Sequence, residues 1–366
     1  MEEDHTDTSV ALVPRVQNVA HFKTGGVHVE YQDKITWEPF EEAAEWLLAA
    51  EKNRQVSADG TDLPFKLQFE RDGYLVVNDL LAPKELEIYQ ALYDRFLSGE
   101  IDSSAHRHDL GSHQETQQQG SENVCQIMWP SDYIENLFQG PMHTRALALA
   151  KAILGEDVDF DFDMLIYKAP HTNTDVPPHQ DQAYWVDMPD KRAVSVWVAI
   201  DEATLENGCM GFVKGSHELP LRPHRQVKPG HHVLCCDYDV SQQGEDKDGQ
   251  CVVRCPIPPG SCTLHHGATI HFTGGNISHT RRRAFILNFR PQSMVEWSRS
   301  QGFDHGRSGF LPLFPSLLSL SLSLSLSLSL SLLPSLPLPL PFRAIIFDFA
   351  SNFNLNLKDG IKQKGV

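Results

Sequence analysis

From residue 158 to residue 289 the chain is cut into short apolar runs divided by glycine, proline and asparagine, and this punctuation leaves few folds open. Phe160, Phe162, Met164 and Ile166 alternate with Asp161, Asp163, Leu165 and Tyr167, which predicts a strand with one buried face. Residues 194–200 predict another strand, and Asn207-Gly208 predicts a hairpin joining it to 209–213. Further runs follow at 252–253, 262–264, 269–272 and 284–289. Short strands with turns between them fit a β-sandwich or a double-sheet jelly roll better than a parallel α/β sheet. Helical patterns come earlier. Apolar residues recur at near-helical spacing over 38–51 and from Pro83 to about residue 97, and a third helix over 142–154 stops at Gly155. Leu67 and Phe69 read as a short helix running into a strand over 73–77. The expected architecture is mainly β with flanking α, a jelly-roll core preceded by helices.

The chain divides by texture. Residues 1–62 read as an extended arm, a helix and a polar linker, and 63–300 as the jelly-roll domain. Within that domain, residues 101–123 are rich in Gln and His, including His106, His108 and His113, and read as a solvated loop. Residues 310–366 differ in kind, with a strict Ser-Leu alternation over 319–332 that no folded domain needs and whose register nothing fixes. A cytosine–thymine repeat read in frame encodes that pattern, so this tail is expected to be disordered or a product of non-coding sequence.

With 31 basic and 48 acidic residues the net charge is −17, which disfavours nucleic acid and anionic membrane as generic partners. The acidic start lacks a secretory pattern, the C-terminus is not a peroxisomal address, and seven cysteines show no framework spacing. An intracellular, cytoplasmic protein with reduced thiols is expected. Oligomeric state leaves no visible signal.

Chemistry concentrates at His179-Gln180-Asp181. Residues two apart on a strand share a face, so His179 and Asp181 can aim at one metal ion. A third ligand from a later strand would complete a two-His, one-carboxylate set, which leaves adjacent positions open and suits Fe(II) that activates oxygen. His265, His266 and His271 are the candidates, and His271, between Ile270 and a Gly-Gly-Asn turn, is the expected one. Eleven residues later comes Arg282 in an Arg triplet. A buried guanidinium on a strand needs an anion, and its fork matches a carboxylate. The expected anion is the distal carboxylate of 2-oxoglutarate. Arg281 and Arg283 read as a solvated turn, and Thr273 shares the face of His271.

His179-Gln180-Asp181, Asn207-Gly208-Cys209-Met210, Gly215-Ser216-His217, His271 with Asn276, and Arg282 together resemble the phytanoyl-CoA dioxygenase family over about residues 65–300. The resemblance implies a double-stranded β-helix, the cupin-like form of the jelly roll. It implies iron ligands at His179, Asp181 and His271, and cosubstrate contacts at Arg282, Thr273, Trp197, Met164 and Gln126. It further implies Fe(II), 2-oxoglutarate and O2 as reactants, with oxidative decarboxylation to succinate and CO2 and hydroxylation of a small-molecule substrate. Phe272 departs from the Gly that often follows this His in the family, which bears on the shape of the cosubstrate pocket.

Other readings compete. Trp197 and Met164 also suit plain core packing. Cys251 and Cys255 with His265 and His266 offer a zinc set, and Ser216-His217 a nucleophile pair, although adjacent strand residues face opposite ways. The basic stretch 221–232 reads as a solvated loop or as an anion contact, and 101–123 with 221–250 as pocket walls. A jelly roll that binds metal without catalysis is the alternative from a different class.

Overall fold

Two antiparallel sheets lie face to face and share one apolar layer, and helices cover the outer face of the larger sheet. The computed structural model describes residues 29–54, 62–111, 122–229, 231–241 and 251–308. The tail 310–366, most of the arm, part of the linker, His113 and the end of the 221–250 stretch lie outside the described residues.

In chain order the elements are β1 (Asp33–Lys34), α1 (Ala43–Lys52), α2 (Phe65–Asp72), β2 (Tyr74–Val77), α3 (Pro83–Ser98), β3 (Arg107–Asp109), β4 (Val124–Met128), β5 (Ile134–Glu135), α4 (Pro141–Leu154), β6 (Val158–Lys168) and β7 (Val176–His179). Then come β8 (Val194–Ala199), β9 (Met210–Val213), β10 (His224–Gln226), β11 (Leu234–Cys236), β12 (Val252–Cys255), β13 (Cys262–His266), β14 (His271–Thr273), β15 (Arg282–Pro291) and α5 (Gln292–Ser300). The large sheet runs β2-β13-β8-β15-β6-β4-β3 and the small one β12-β9-β14-β7. This is a jelly-roll core with N-terminal helices. Proline at the first turn starts α3, where the Glu85 carboxylate accepts from the Ala82 N–H at 2.7 Å, and Gly99 ends it with φ of 79°.

Strand alternation separates two apolar layers. Val194, Val196 and Val198 of β8 and Phe285, Leu287 and Phe289 of β15 pack under the helices with Tyr89, Phe96 and Leu149. Trp197, Ala199, Ala284 and Ile286 face the other way and meet Met210 and Phe212 of the small sheet. The central strands β8, β15 and β6 are therefore packed on both faces, which corrects the one-faced reading of β6. Asp161 and Asp163 are buried, not solvated. Asp163 accepts from Ser131 Oγ at 3.0 Å and lies 3.4 Å from His143 Nε2. At Asp161 the pairing with β15 slips by one residue, and the bulge turns this carboxylate toward Arg290.

Two further expectations change. The residues 207–208 turn does not close a hairpin, because β8 and β9 belong to different sheets and the turn carries the chain between them. Gly208 has φ of 87°, and a Cβ there would meet the Gly274 carbonyl. The loop expected over 101–123 contributes the edge strand β3, and His106 is buried with Nδ1 2.9 Å from Tyr133 Oη. No described helix is long and apolar enough to cross a membrane. No disulfide joins the seven cysteines.

Two further histidines are the buried His305 and the partly buried His266. Burial pushes His266, which also faces His217, and His305 down to about 4. The unfolded chain then takes up protons first as pH falls from about 6.5, so stability is full above neutrality and drops toward pH 4. Each of these histidines is expected to cost about 2 kcal/mol of apoprotein stability by about pH 5. Urea midpoints at about pH 7.5 and pH 5 check this, and an unchanged midpoint would contradict it.

Candidate metal centre and anion pocket

The strand that carries the centre is an edge strand, which is why it tolerates Pro177 and Pro178. β7 pairs with β14, and His179 and His271 are direct partners across the ladder, their ring centroids 4.1 Å apart. Asp181 is not on the strand as expected. It opens a 3₁₀ turn, and the extended backbone of Gln180 (φ −125°, ψ 126°) preserves the alternation that keeps it beside His179. Asp181 Oδ1 lies 3.8 Å from His179 Nε2 and 3.4 Å from His271 Nε2. One donor atom from each of the three residues falls within 4.8 Å of the others.

Protonation states follow from partners. His179 Nδ1 is 2.8 Å from the Pro177 carbonyl and His271 Nδ1 2.9 Å from the Thr269 carbonyl. A carbonyl only accepts, so each Nδ1 carries the proton and each Nε2 lone pair is left for a metal. Burial, together with His271, pushes His179 down to about 3. Burial pushes the Asp181 carboxyl up, but His271 and His265 outweigh it and hold it well below the usual carboxylate range. Neutral imidazoles and one carboxylate are the form a divalent metal needs. Gln180 fixes the segment: Nε2 donates to the Ala268 carbonyl at 2.6 Å, Oε1 accepts from Arg222 N–H at 2.9 Å, and its own N–H donates to His224 Nε2 at 3.0 Å. Thus part of the basic stretch 221–232 is a strand tied to the centre, not a solvated loop.

Arg282 lies on the inner face of β15, 1% exposed, its guanidinium 5.2 Å above the Trp197 ring. Nη1 donates to the Gly208 carbonyl at 3.1 Å, whereas Nε and Nη2 are buried without a partner. Burial pushes this guanidinium down to about 10. Two unsatisfied N–H groups on one fork are what a carboxylate would satisfy. Lys168, the cross-strand partner of Arg282, donates to Thr273 Oγ1 at 2.8 Å and to the Thr174 carbonyl at 3.0 Å. Thr263, the partner of Trp197 on β13, has a buried hydroxyl without a partner. Met164 and Gln126 meet on the same face, Nε2 3.1 Å from Sδ.

Arg283 is not the solvated residue expected. It is buried, with Nη2 2.7 Å from Asp201 and Nη1 2.9 Å from Asp94, and the half-exposed Arg281 shares Asp94. Phe272 points to the opposite face from His271, over the backbone of Gly211 and under Arg254, so it does not fill the pocket. Among the described residues the two cysteines and two histidines of the zinc reading form no metal-holding group.

The phytanoyl-CoA dioxygenase (PhyH) family model matches residues 69–284, more than half of the chain. The chain belongs to the phytanoyl-CoA dioxygenase family. A bovine (Bos taurus) phytanoyl-CoA dioxygenase domain-containing protein 1 is 26% identical over 271 residues, which cover 64% of this chain and 92% of that protein. The zebrafish (Danio rerio) protein of the same name is 30% identical over 135 residues, 37% of this chain and 46% of that protein. Among solved structures, EvdO2 from Micromonospora carbonacea var. aurantiaca complexed with 2-oxoglutarate is 25% identical with a TM-score of 0.49, over 64% of this chain and 91% of that one. Within this family member, sequence reasoning passes over Lys168, Thr263, Ser195 and Asn288, and it reads His224 only as part of a basic stretch. Only Lys168 carries a signal, as a lone cation ending an apolar strand.

Proposed function

We propose that this chain is an Fe(II)- and 2-oxoglutarate-dependent dioxygenase that hydroxylates a small organic or acyl substrate and releases succinate and CO2. The observation that carries the reading is the His179–Asp181–His271 trio in the same inter-sheet layer as a buried guanidinium with two free N–H groups. When bound, iron, 2-oxoglutarate and O2 supply the oxidising chemistry, and the protein supplies binding and orientation. His179 and His271 would offer Nε2 and Asp181 would offer Oδ1. Arg282 would take the distal carboxylate of the cosubstrate over the face of Trp197. Lys168 occupies the acceptor side of Thr273, which turns that hydroxyl's own proton outward as a donor to the same ligand. Met164, Ile286 and Trp197 form an apolar wall that keeps water from the reacting groups, with Gln126 at its polar end.

The test is anaerobic Fe(II) titration with 2-oxoglutarate, read by visible absorbance. A weak charge-transfer band is expected, together with 2-oxoglutarate-dependent oxygen uptake. Arg282→Ala is expected to weaken 2-oxoglutarate by about 2–5 kcal/mol, at least roughly thirtyfold, because truncation strands the buried anion. Iron binding without the band would instead support a jelly roll that holds metal but no cosubstrate.

A further inference from the structure

The two oxygens of Asp181 have different surroundings. Oδ1 faces the two Nε2 atoms of His179 and His271. Oδ2 points away and accepts from Ser195 Oγ at 2.7 Å, with His265 Nε2 at 3.2 Å. A carboxylate only accepts, so His265 carries its proton on Nε2, which agrees with a bare, unpartnered Nδ1. The Ser195 hydroxyl is committed too. Its acceptor side is taken by Asn288 Nδ2 at 2.9 Å, so its one proton goes to Asp181. The Asn288 amide is itself fixed, because Oδ1 accepts from Arg290 Nη2 at 3.3 Å. Arg290 in turn sits 2.6 Å from Asp161 Oδ2. The donors therefore run one way: Arg290 to Asn288 to Ser195 to Asp181. Ser195, His265, Asn288 and Arg290 are buried, and they come from strands β8, β13 and β15 of the sheet opposite the metal-bearing strands.

We propose that Ser195 and His265 are positioning residues that restrain Oδ2 of Asp181, so that the carboxylate meets its metal through Oδ1 alone, with Asn288 and Arg290 setting the direction of the Ser195 proton. The inference rests on the metal reading given above. Outer partners of this kind fix a ligand's orientation, and their loss typically weakens metal binding 10–100-fold. Two donors from different strands on one oxygen also resist rotation of the carboxylate toward two-toothed chelation. That would keep coordination positions open for the cosubstrate and oxygen.

The experiment is Co(II) binding to the full chain, read by affinity and by visible d–d absorption. Wild type is expected to give a saturable spectrum. Ser195→Ala should weaken Co(II) roughly 10–100-fold and shift the bands, as the freed carboxylate changes its mode. Ser195→Thr, which keeps the hydroxyl, should restore both readouts. His265→Leu tests the same oxygen from another strand, so the measurement survives if a Ser195 variant fails to fold. A folded Ser195→Ala or His265→Leu protein with wild-type affinity and an unchanged spectrum would overturn the inference. A wild type that binds no Co(II) would instead overturn the metal reading beneath it.

Discussion

Asp181→Ala is expected to abolish turnover and to weaken Fe(II) binding by more than about 100-fold, the scale already set by loss of an outer partner alone. The carboxylate is the only member of the trio that brings a negative charge, and burial disfavours the charged form of His179. Without it, two imidazoles that carry no negative charge face a divalent ion across a buried space and nothing offsets the ion's lost hydration. Asp181→Asn separates charge from shape: it keeps an oxygen at the same place and should bind Fe(II) more weakly than wild type but better than the alanine variant. His179→Ala and His271→Ala should each lose iron as well, because the pair is preset by ladder register and by two backbone carbonyls. Equilibrium dialysis of iron and succinate release are the measurements. Stoichiometric iron with coupled succinate formation in Asp181→Ala would remove these three residues from the metal-centre role.

The legible parts of this site are those carried by local spacing. His179 and Asp181 stand two apart, and alternation alone puts them on one side, even though the strand ends at His179 and Gln180 has to continue it. His271 is distinguishable from His265 and His266 by its place before a Gly-Gly-Asn turn, and the fold sets it opposite His179. What local spacing cannot show is pairing at a distance. Ser195 and Asn288 are single polar residues inside apolar strand runs, and they meet across 93 positions of sequence. Asp161 and Asp163 look like the wet face of a strand because the same alternation marks a solvated edge and a buried charge whose partner comes from elsewhere. The 207–208 turn shows the converse. Its local chemistry is that of a hairpin, yet the sheet-to-sheet crossing needs the same positive φ, and tertiary context decides between them.

The distant pairing at Asp161 yields the largest expected effect on stability. Its carboxylate is closed off from water and lies 2.6 Å from Arg290 Nε, 2.5 Å from Arg299 Nη2 and 3.0 Å from His305 Nε2. Burial pushes this group up, but Arg290, His305 and Arg299 overcome that and hold it far below the usual carboxylate range. Arg290 also stacks 4.1 Å from the Trp185 ring and has no route to solvent. Asp161→Ala therefore leaves a fully buried guanidinium without its counterion, a change worth about 3–5 kcal/mol. In a domain of this size that corresponds to a fall in Tm of roughly 10 °C. Desolvation, not the lost attraction, dominates the penalty, and this can be separated by experiment. Asp161→Leu combined with Arg290→Met removes both charges and should recover most of the stability, since apolar replacement of a buried pair is often neutral. Because Arg290 also orients Asn288, the double variant should remain weakened in metal binding while its Tm recovers. Thermal melts of the single and double variants decide the matter: an Asp161→Ala protein as stable as wild type, or a double variant less stable than the single, would show that the cluster does not hold Arg299 and His305 to the large sheet in this way.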